Sequence, residues 1–169
     1  DCWKPFFGEF RKYCDFKFDD YLLFADDDKD KEDRNFFFSK YKDSDSYTER
    51  VLSCLDTVET EFVLFSHEDM MLYDHVDLGA MNECIEAMKD VDLIKLLKGG
   101  SSNDFGVDIT YKHSNFLKWI PSSFEYIFAV QPTIWRVDKF KALLNANKGK
   151  AIWQLEAEGQ QFCRDNRYK

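Results

Sequence analysis

The chain has 169 residues, of which 44% are hydrophobic, and its formal net charge is −9. This length and hydrophobic content are typical of one globular domain with a substantial core, and they argue against intrinsic disorder. The acidic balance argues against nucleic acid as a partner, because phosphate binding needs a basic surface.

Five cysteines are dispersed along the chain without a C-x-x-C pair. An odd and dispersed set is typical of reduced core thiols, which predicts a cytoplasmic or otherwise reducing compartment. No apolar run approaches the ~20 residues that span a bilayer, so no transmembrane segment is expected. We treat residues 1–169 as a single domain. Because the sequence opens at Asp1 without Met, a longer parent chain stays open as an alternative.

Helical and strand patterns alternate in the first part of the chain. Aromatic residues at helical spacing after Pro5 predict a first helix, and two short apolar runs predict buried strands. A capping box formed by Ser46 and Glu49 predicts the start of a second helix. The predicted elements are a helix opened by Asp1, strands at residues 20–25 and 35–38, and a helix from Ser46 to near Thr60.

The same alternation continues to the C-terminus. Asp77 is the predicted cap of a helix whose apolar residues recur at helical spacing. Aromatic and β-branched residues predict a strand at residues 124–130. The other predicted elements are strands at residues 61–66, 91–97 and 107–112, and helices at residues 137–147 and 151–163. Alternating strands and helices predict a layered α/β domain with a mostly parallel, mixed sheet.

An acidic pair, Glu68 and Asp69, follows the apolar strand at residues 61–66. Adjacent carboxylates at a strand end are costly unless a cation, a proton or a ligand neutralises them, and ligands bind at strand ends in α/β sheets. Mg²⁺ and Mn²⁺ prefer such oxygen ligands. We therefore predict a divalent-metal site with Asp69 as the main ligand and Glu68 as its helper. A solvated loop with a helix-capping aspartate is the alternative.

Two further features near strands are less decisive. His67 is a candidate ligand, a donor of a hydrogen bond to sugar or phosphate, or a structural imidazole. Asp26, Asp27 and Asp28 also follow an apolar strand and form the rival metal site, one that would suit a phosphohydrolase. They lie within a mixed run of acidic and basic residues, which is more typical of a solvated loop.

A second acidic site is predicted near the C-terminus. On a helix, Glu156 lies about one turn from Trp153. An apolar ring beside a carboxyl raises its pKa and suits a general base, and the ring can also hold a sugar face. A surface glutamate on an amphipathic helix is the alternative. Gln131 and Trp135 are candidates for the same cleft, with a core position as the alternative for Trp135.

Together these pieces resemble the GT-A type of nucleotide-sugar glycosyltransferases. The resemblance rests on the capped helix, strand, acidic pair and helix of residues 46–89, and on Phe-Ala-Val-Gln-Pro-Thr-Ile-Trp followed by Trp-Gln-Leu-Glu at residues 128–135 and 153–156. It covers most of residues 1–163 and implies a three-layer, Rossmann-like fold. It also implies that Glu68 and Asp69 take the place of the family's D-x-D motif, and that Glu156 is the catalytic base.

The resemblance implies a function as well. The expected reaction is transfer of a sugar from a nucleotide-sugar donor such as a UDP-sugar to a glycan or other hydroxyl acceptor, with inversion and with Mn²⁺ or Mg²⁺ as cofactor. The expected substrate contacts, beyond the acidic pair, are His67, Lys95, Gln131, Trp135 and Trp153, and Arg136 is a second candidate beside Lys95 for positive charge near the leaving group.

Two departures from the family pattern are visible. The acidic motif reads His-Glu-Asp, and the family's first strand has no counterpart ahead of Asp1. The chain is therefore expected either to be truncated or to build its base pocket differently. The alternatives are a non-catalytic carbohydrate-binding module of the same fold and the phosphohydrolase.

Overall fold

The computed structural model describes residues 2–26, 36–97, 110–112, 114, 116–124 and 126–169. Helices and strands alternate along these ranges, which confirms the α/β class. In chain order they are α1 (Trp3–Tyr13), β1 (Leu22–Ala25), β2 (Phe37–Lys40), α2 (Tyr47–Leu55), β3 (Phe62–Phe65), α3 (Leu78–Ala87), β4 (Leu93–Lys95), β5 (Thr133–Arg136), α4 (Val137–Ala146) and α5 (Ile152–Asp165). No helix within the described ranges is both long and apolar enough to cross a bilayer.

Local side-chain bonds start two of the helices where the sequence predicts them. The Ser46 hydroxyl accepts the Glu49 backbone N–H at 3.3 Å, and a Glu49 carboxylate oxygen accepts the Ser46 N–H at the same distance. Asp77 accepts the Ala80 N–H at 2.9 Å and caps α3. These bonds satisfy backbone donors that have no partner inside a helix, so α2 and α3 begin at defined residues.

The strands form two small sheets. β1 and β2 pair in parallel, while β5 lies between β3 and β4 and is antiparallel to both. The prediction of a mostly parallel sheet is therefore wrong for the three-stranded sheet. Parallel neighbours need a crossover, whereas the long segment between β4 and β5 lets the chain return in the opposite direction.

The predicted strand at residues 124–130 is also wrong. The described residues of this segment form no strand, and β5 begins only after Pro132. Phe128 and Ala129 are nevertheless buried, and the Phe128 ring lies 5.9 Å from that of Trp135. The strand-like composition thus reflects burial and not pairing. Part of the predicted strand at residues 107–112 lies outside the described residues, as does Asp1, the predicted cap of α1.

The core lies on both faces of β5, because neighbouring residues of a strand point to opposite sides of the sheet. Trp135 contributes to one face and Ile134 to the other. We call the first cluster the α4–α5 core; it contains Val51, Leu55, Phe65, Phe128, Trp135, Phe140, Leu143, Leu144, Leu155 and Cys163. The second packs under α3 and contains Met81, Cys84, Ala87, Met88, Val91, Ile94, Tyr111 and Ile134.

Aromatic rings dominate the N-terminal part of the chain. α1 presents Phe7 and Phe10 to Phe36, with ring centroids 5.2 and 5.7 Å apart. Phe10, Phe36 and the strands β1 and β2 face β3 across a cavity of about 840 Å³. We call this part the aromatic region. Its rings surround open space, whereas the α4–α5 core is filled.

Candidate functional site

The hydroxyl of Tyr47 lies where α2 begins and β3 ends. Its oxygen is 2.8 Å from Nε2 of His67, and the two rings meet edge to face at 5.7 Å. Phe65, the last residue of β3, packs edge to face against the His67 ring, with the two ring centroids 5.4 Å apart. The capping box that starts α2 therefore also fixes the position of Tyr47 relative to the segment after β3.

Three carboxylates act electrostatically on this hydroxyl. Burial raises the pKa of Tyr47, and Glu156, Asp69 and Glu68 raise it further, in that order. The two acidic segments that the sequence analysis singled out, one after β3 and one on α5, thus both influence Tyr47.

Glu156 is held by the backbone that precedes β5. Its Oε1 accepts the Val130 N–H at 2.7 Å. Within the described part of the chain, no hydrogen bond reaches Oε2 of this residue. One oxygen of the carboxylate is therefore fixed in position while the other is left for a proton or a ligand.

Lys95, the last residue of β4, joins the same neighbourhood. Its Nζ donates to the Tyr126 carbonyl at 2.7 Å. Burial lowers the pKa of the Lys95 ammonium, and the nearby Glu156 carboxylate partly offsets this effect. Lys95 thus links β4 to the segment that holds Glu156, and it supplies a positive charge near that carboxylate.

The two predicted tryptophans have different environments. Trp135 is 1% exposed and stacks on Phe140 at 4.8 Å, so its ring lies in the core, which was the alternative to a contact with substrate. Trp153 is 76% exposed on the first turn of α5, and no ring of the described residues packs against it. Its indole is therefore open to a ligand one turn before Glu156.

Gln131 lines a narrow gap next to Tyr47, together with Phe65, Phe128 and other core residues. Its Oε1 is buried, and no donor in the described residues lies within hydrogen-bond distance. A buried acceptor without a donor costs free energy, and the gap beside this amide has no room for a water molecule.

Glu68 and Asp69 differ in exposure: Glu68 is half-buried and Asp69 is exposed. In the described ranges, no group of three His, Cys, Asp or Glu side chains is close enough to hold a metal ion. Two carboxylates still fit Mg²⁺ or Mn²⁺ when substrate phosphates complete the coordination. Of the rival site, Asp26 is exposed, and Asp27 and Asp28 lie outside the described residues.

Sequence reasoning missed Tyr47. It lies 20 residues before His67, and no local pattern links the two. The one available signal was its place directly after the capping Ser46. This signal predicts that Tyr47 is the first residue of α2, but it does not predict which residues the side chain contacts. Sequence reasoning also missed the Val130 N–H and the Tyr126 carbonyl, since backbone groups carry no sequence signature.

Comparisons of this chain with protein-family models, with curated proteins and with solved structures found no match.

Proposed function

We propose that this chain is a metal-dependent glycosyltransferase domain of GT-A type, which transfers a sugar from a nucleotide sugar to a hydroxyl acceptor with inversion. One observation supports the proposal: Glu156 on α5 and the pair Glu68 and Asp69 after β3 all raise the pKa of the same Tyr47 hydroxyl. Separate elements thus supply a candidate base and candidate metal ligands that act on one side chain.

The donor end of the proposed site consists of Asp69, Glu68, His67 and Lys95. Asp69 and Glu68 are the proposed ligands of Mn²⁺ or Mg²⁺, whose charge would offset that of the leaving diphosphate. His67 and Lys95 add hydrogen-bond donors in the same neighbourhood. An acidic chain can accept an anionic donor this way, because the bound cation reverses the local charge.

The acceptor end consists of Glu156 and Trp153. The acceptor oxygen forms a bond to the anomeric carbon and gives its proton to Oε2 of Glu156, while the bond from that carbon to the phosphate oxygen breaks and the nucleoside diphosphate leaves. The Val130 N–H holds Oε1 during this step. The exposed Trp153 ring offers a flat face for a sugar acceptor.

A non-catalytic carbohydrate-binding module is the second candidate function. The exposure of Trp153 favours it, as does the lack of a three-residue metal cluster among the described side chains. Such a module would bind glycan without consuming any nucleotide sugar, with or without Mn²⁺. Turnover assays on a panel of nucleotide sugars separate the two candidates.

The metal assignment is tested by replacing Asp69 with Asn. We expect wild-type protein to bind at least one of a panel of UDP- and GDP-sugars in the presence of Mn²⁺, and Asp69→Asn to weaken that binding at least about tenfold, since a neutral amide is a poorer ligand for a hard cation. Isothermal titration calorimetry measures both affinities.

Asp56→Asn is the matched control. Asp56 caps the C-terminal end of α2, whereas Tyr47 is its first residue, and Asp56 forms an ion pair with Lys141 at 3.1 Å. This variant should bind the nucleotide sugar like the wild type. Unchanged affinity in Asp69→Asn would remove Asp69 from the proposed metal site.

A further inference from the structure

The hydrogen bond between Tyr47 and His67 defines which ring nitrogen of His67 carries its proton. A phenol keeps its proton at neutral pH, because its ordinary pKa is about 10. Within the described residues, Nε2 of His67 is the acceptor within hydrogen-bond distance of the Tyr47 oxygen, at 2.8 Å. When the Tyr47 O–H is the donor in this bond, Nε2 presents its lone pair.

A neutral imidazole carries one N–H, so a lone pair on Nε2 places the proton on Nδ1. A free histidine side chain prefers the opposite tautomer, with the proton on Nε2. Tyr47 thus imposes the less common form. No hydrogen bond of the described residues reaches Nδ1 of His67, so this N–H is left for water or a ligand.

The ring is also held in orientation. Tyr47 and Phe65 contact it edge-on, with interplanar angles of 74° and 77°. His67 directly precedes Glu68 and Asp69, so its Nδ1–H belongs to the segment that carries the proposed metal ligands. An anion held by a cation at that segment would meet a fixed donor.

We propose that Tyr47 is a positioning residue, which fixes His67 as the Nδ1–H tautomer so that His67 donates to a phosphate oxygen of the nucleotide-sugar donor. The identity of this ligand rests on the proposed function, whereas the tautomer rests on the hydrogen bond alone. Tyr47 does not touch the reacting atoms in this account. It acts through the imidazole.

The tautomer is tested by long-range ¹H–¹⁵N correlation spectra of the full chain above the titration range of histidine. The sequence has three histidines, and the His67 signals are assigned by their loss in His67→Gln. We expect a protonated Nδ1 and an unprotonated Nε2 in the wild type, and a return toward Nε2–H in Tyr47→Phe, which keeps the ring and loses only the hydroxyl.

Tyr168→Phe is the matched control. It removes a hydroxyl that donates to the Lys139 carbonyl at 3.0 Å, and it should leave the His67 tautomer unchanged. A wild-type His67 protonated on Nε2, or a tautomer that is the same in Tyr47→Phe, overturns the proposal whatever the protein's function.

The ligand role is tested by calorimetric titration with pyrophosphate and Mg²⁺, the simplest probe of a diphosphate. We expect Tyr47→Phe and His67→Ala each to weaken binding about tenfold, and the double variant to be no weaker than His67→Ala, because coupled residues are not additive. Wild-type affinity in Tyr47→Phe, or additive losses in the double variant, overturns the positioning role.

The two proposals fail in different ways. If the wild type binds neither pyrophosphate nor any nucleotide sugar in the presence of Mg²⁺ or Mn²⁺, the proposed function fails and the ligand role of His67 fails with it. If the wild type binds but Tyr47→Phe binds equally well, the proposed function stands and the role of Tyr47 fails.

Discussion

The α4–α5 core and the aromatic region use large rings in opposite ways. In the core, Trp135 and Phe140 stack at 4.8 Å and are 1% and 3% exposed. In the aromatic region, the rings surround a cavity of about 840 Å³, and Phe37 is 64% exposed. Close packing fixes side chains in single positions. The candidate site therefore depends on the core, which holds the segment that binds Glu156.

The difference can be tested with a helical glycine from each region. A Cβ at Gly159, on α5, would lie 2.8 Å from ring atoms of the buried Phe128. A Cβ at Gly8, on α1, would meet nothing within 4 Å. Gly159→Ala should therefore lower the free energy of unfolding by about 1–3 kcal/mol through overpacking. Gly8→Ala should raise it by up to about 1 kcal/mol.

Urea denaturation of both variants measures these changes. The two substitutions make the same chemical change on a helix, so each is the control for the other. If Gly159→Ala were as stable as Gly8→Ala, α5 and Phe128 would not be closely packed. The claimed difference in packing between the α4–α5 core and the aromatic region would then be wrong.

The pH dependence of stability sharpens the comparison. Burial raises the pKa of Cys163 to about 12, with a further contribution from Asp92. The unfolded thiol has a pKa of about 8.5, so between these values the unfolded chain loses the proton that the folded chain keeps. The contribution of the protonated Cys163 thiol to the free energy of unfolding is fully present below about pH 8.5. It is lost as pH rises toward 12, by up to about 1.4 kcal/mol per pH unit.

Urea unfolding at pH 8 and pH 10, in reducing buffer, measures this loss. Cys163→Ala should show a smaller decrease between the two pH values than the wild type. An identical pH dependence in Cys163→Ala and the wild type would show that this part of the core admits water.

Local signals in the sequence predicted where two helices begin. The prediction of a mostly parallel sheet was wrong for the three-stranded sheet, because strand pairing depends on residues far apart in the chain. Ser46 and Asp77 accept hydrogen bonds from backbone N–H groups three residues away, so a short stretch of sequence is enough to predict these helix caps. The position of β5 between β3 and β4 depends on how a long connecting segment returns. Residues 124–130 have the composition of a strand, but the ones that the structure describes are in contact with side chains and pair with no strand.

The residues of the candidate site also divide into those that local sequence patterns indicated and those that depend on non-local contacts. Glu68, Asp69 and Glu156 were proposed as site residues from local patterns, and all three raise the pKa of one hydroxyl. The hydroxyl itself, on Tyr47, could not be predicted, because its contact with His67 joins residues 20 positions apart in the chain. Trp135 lies in the core, and a tryptophan at a strand end looks the same in sequence whether it lines a cleft or fills a core.

Glu156→Gln tests the central claim most directly, namely that this polar region performs sugar transfer. Glu158→Gln is the control, because Glu158 is exposed on the same helix and pairs with Lys150 at 2.8 Å. With a nucleotide sugar bound in the presence of Mn²⁺, we expect Glu156→Gln to keep the donor affinity and to lower the rate of transfer about 10²–10⁴-fold, as loss of a general base does. Transfer by Glu156→Gln at the wild-type rate would contradict the account.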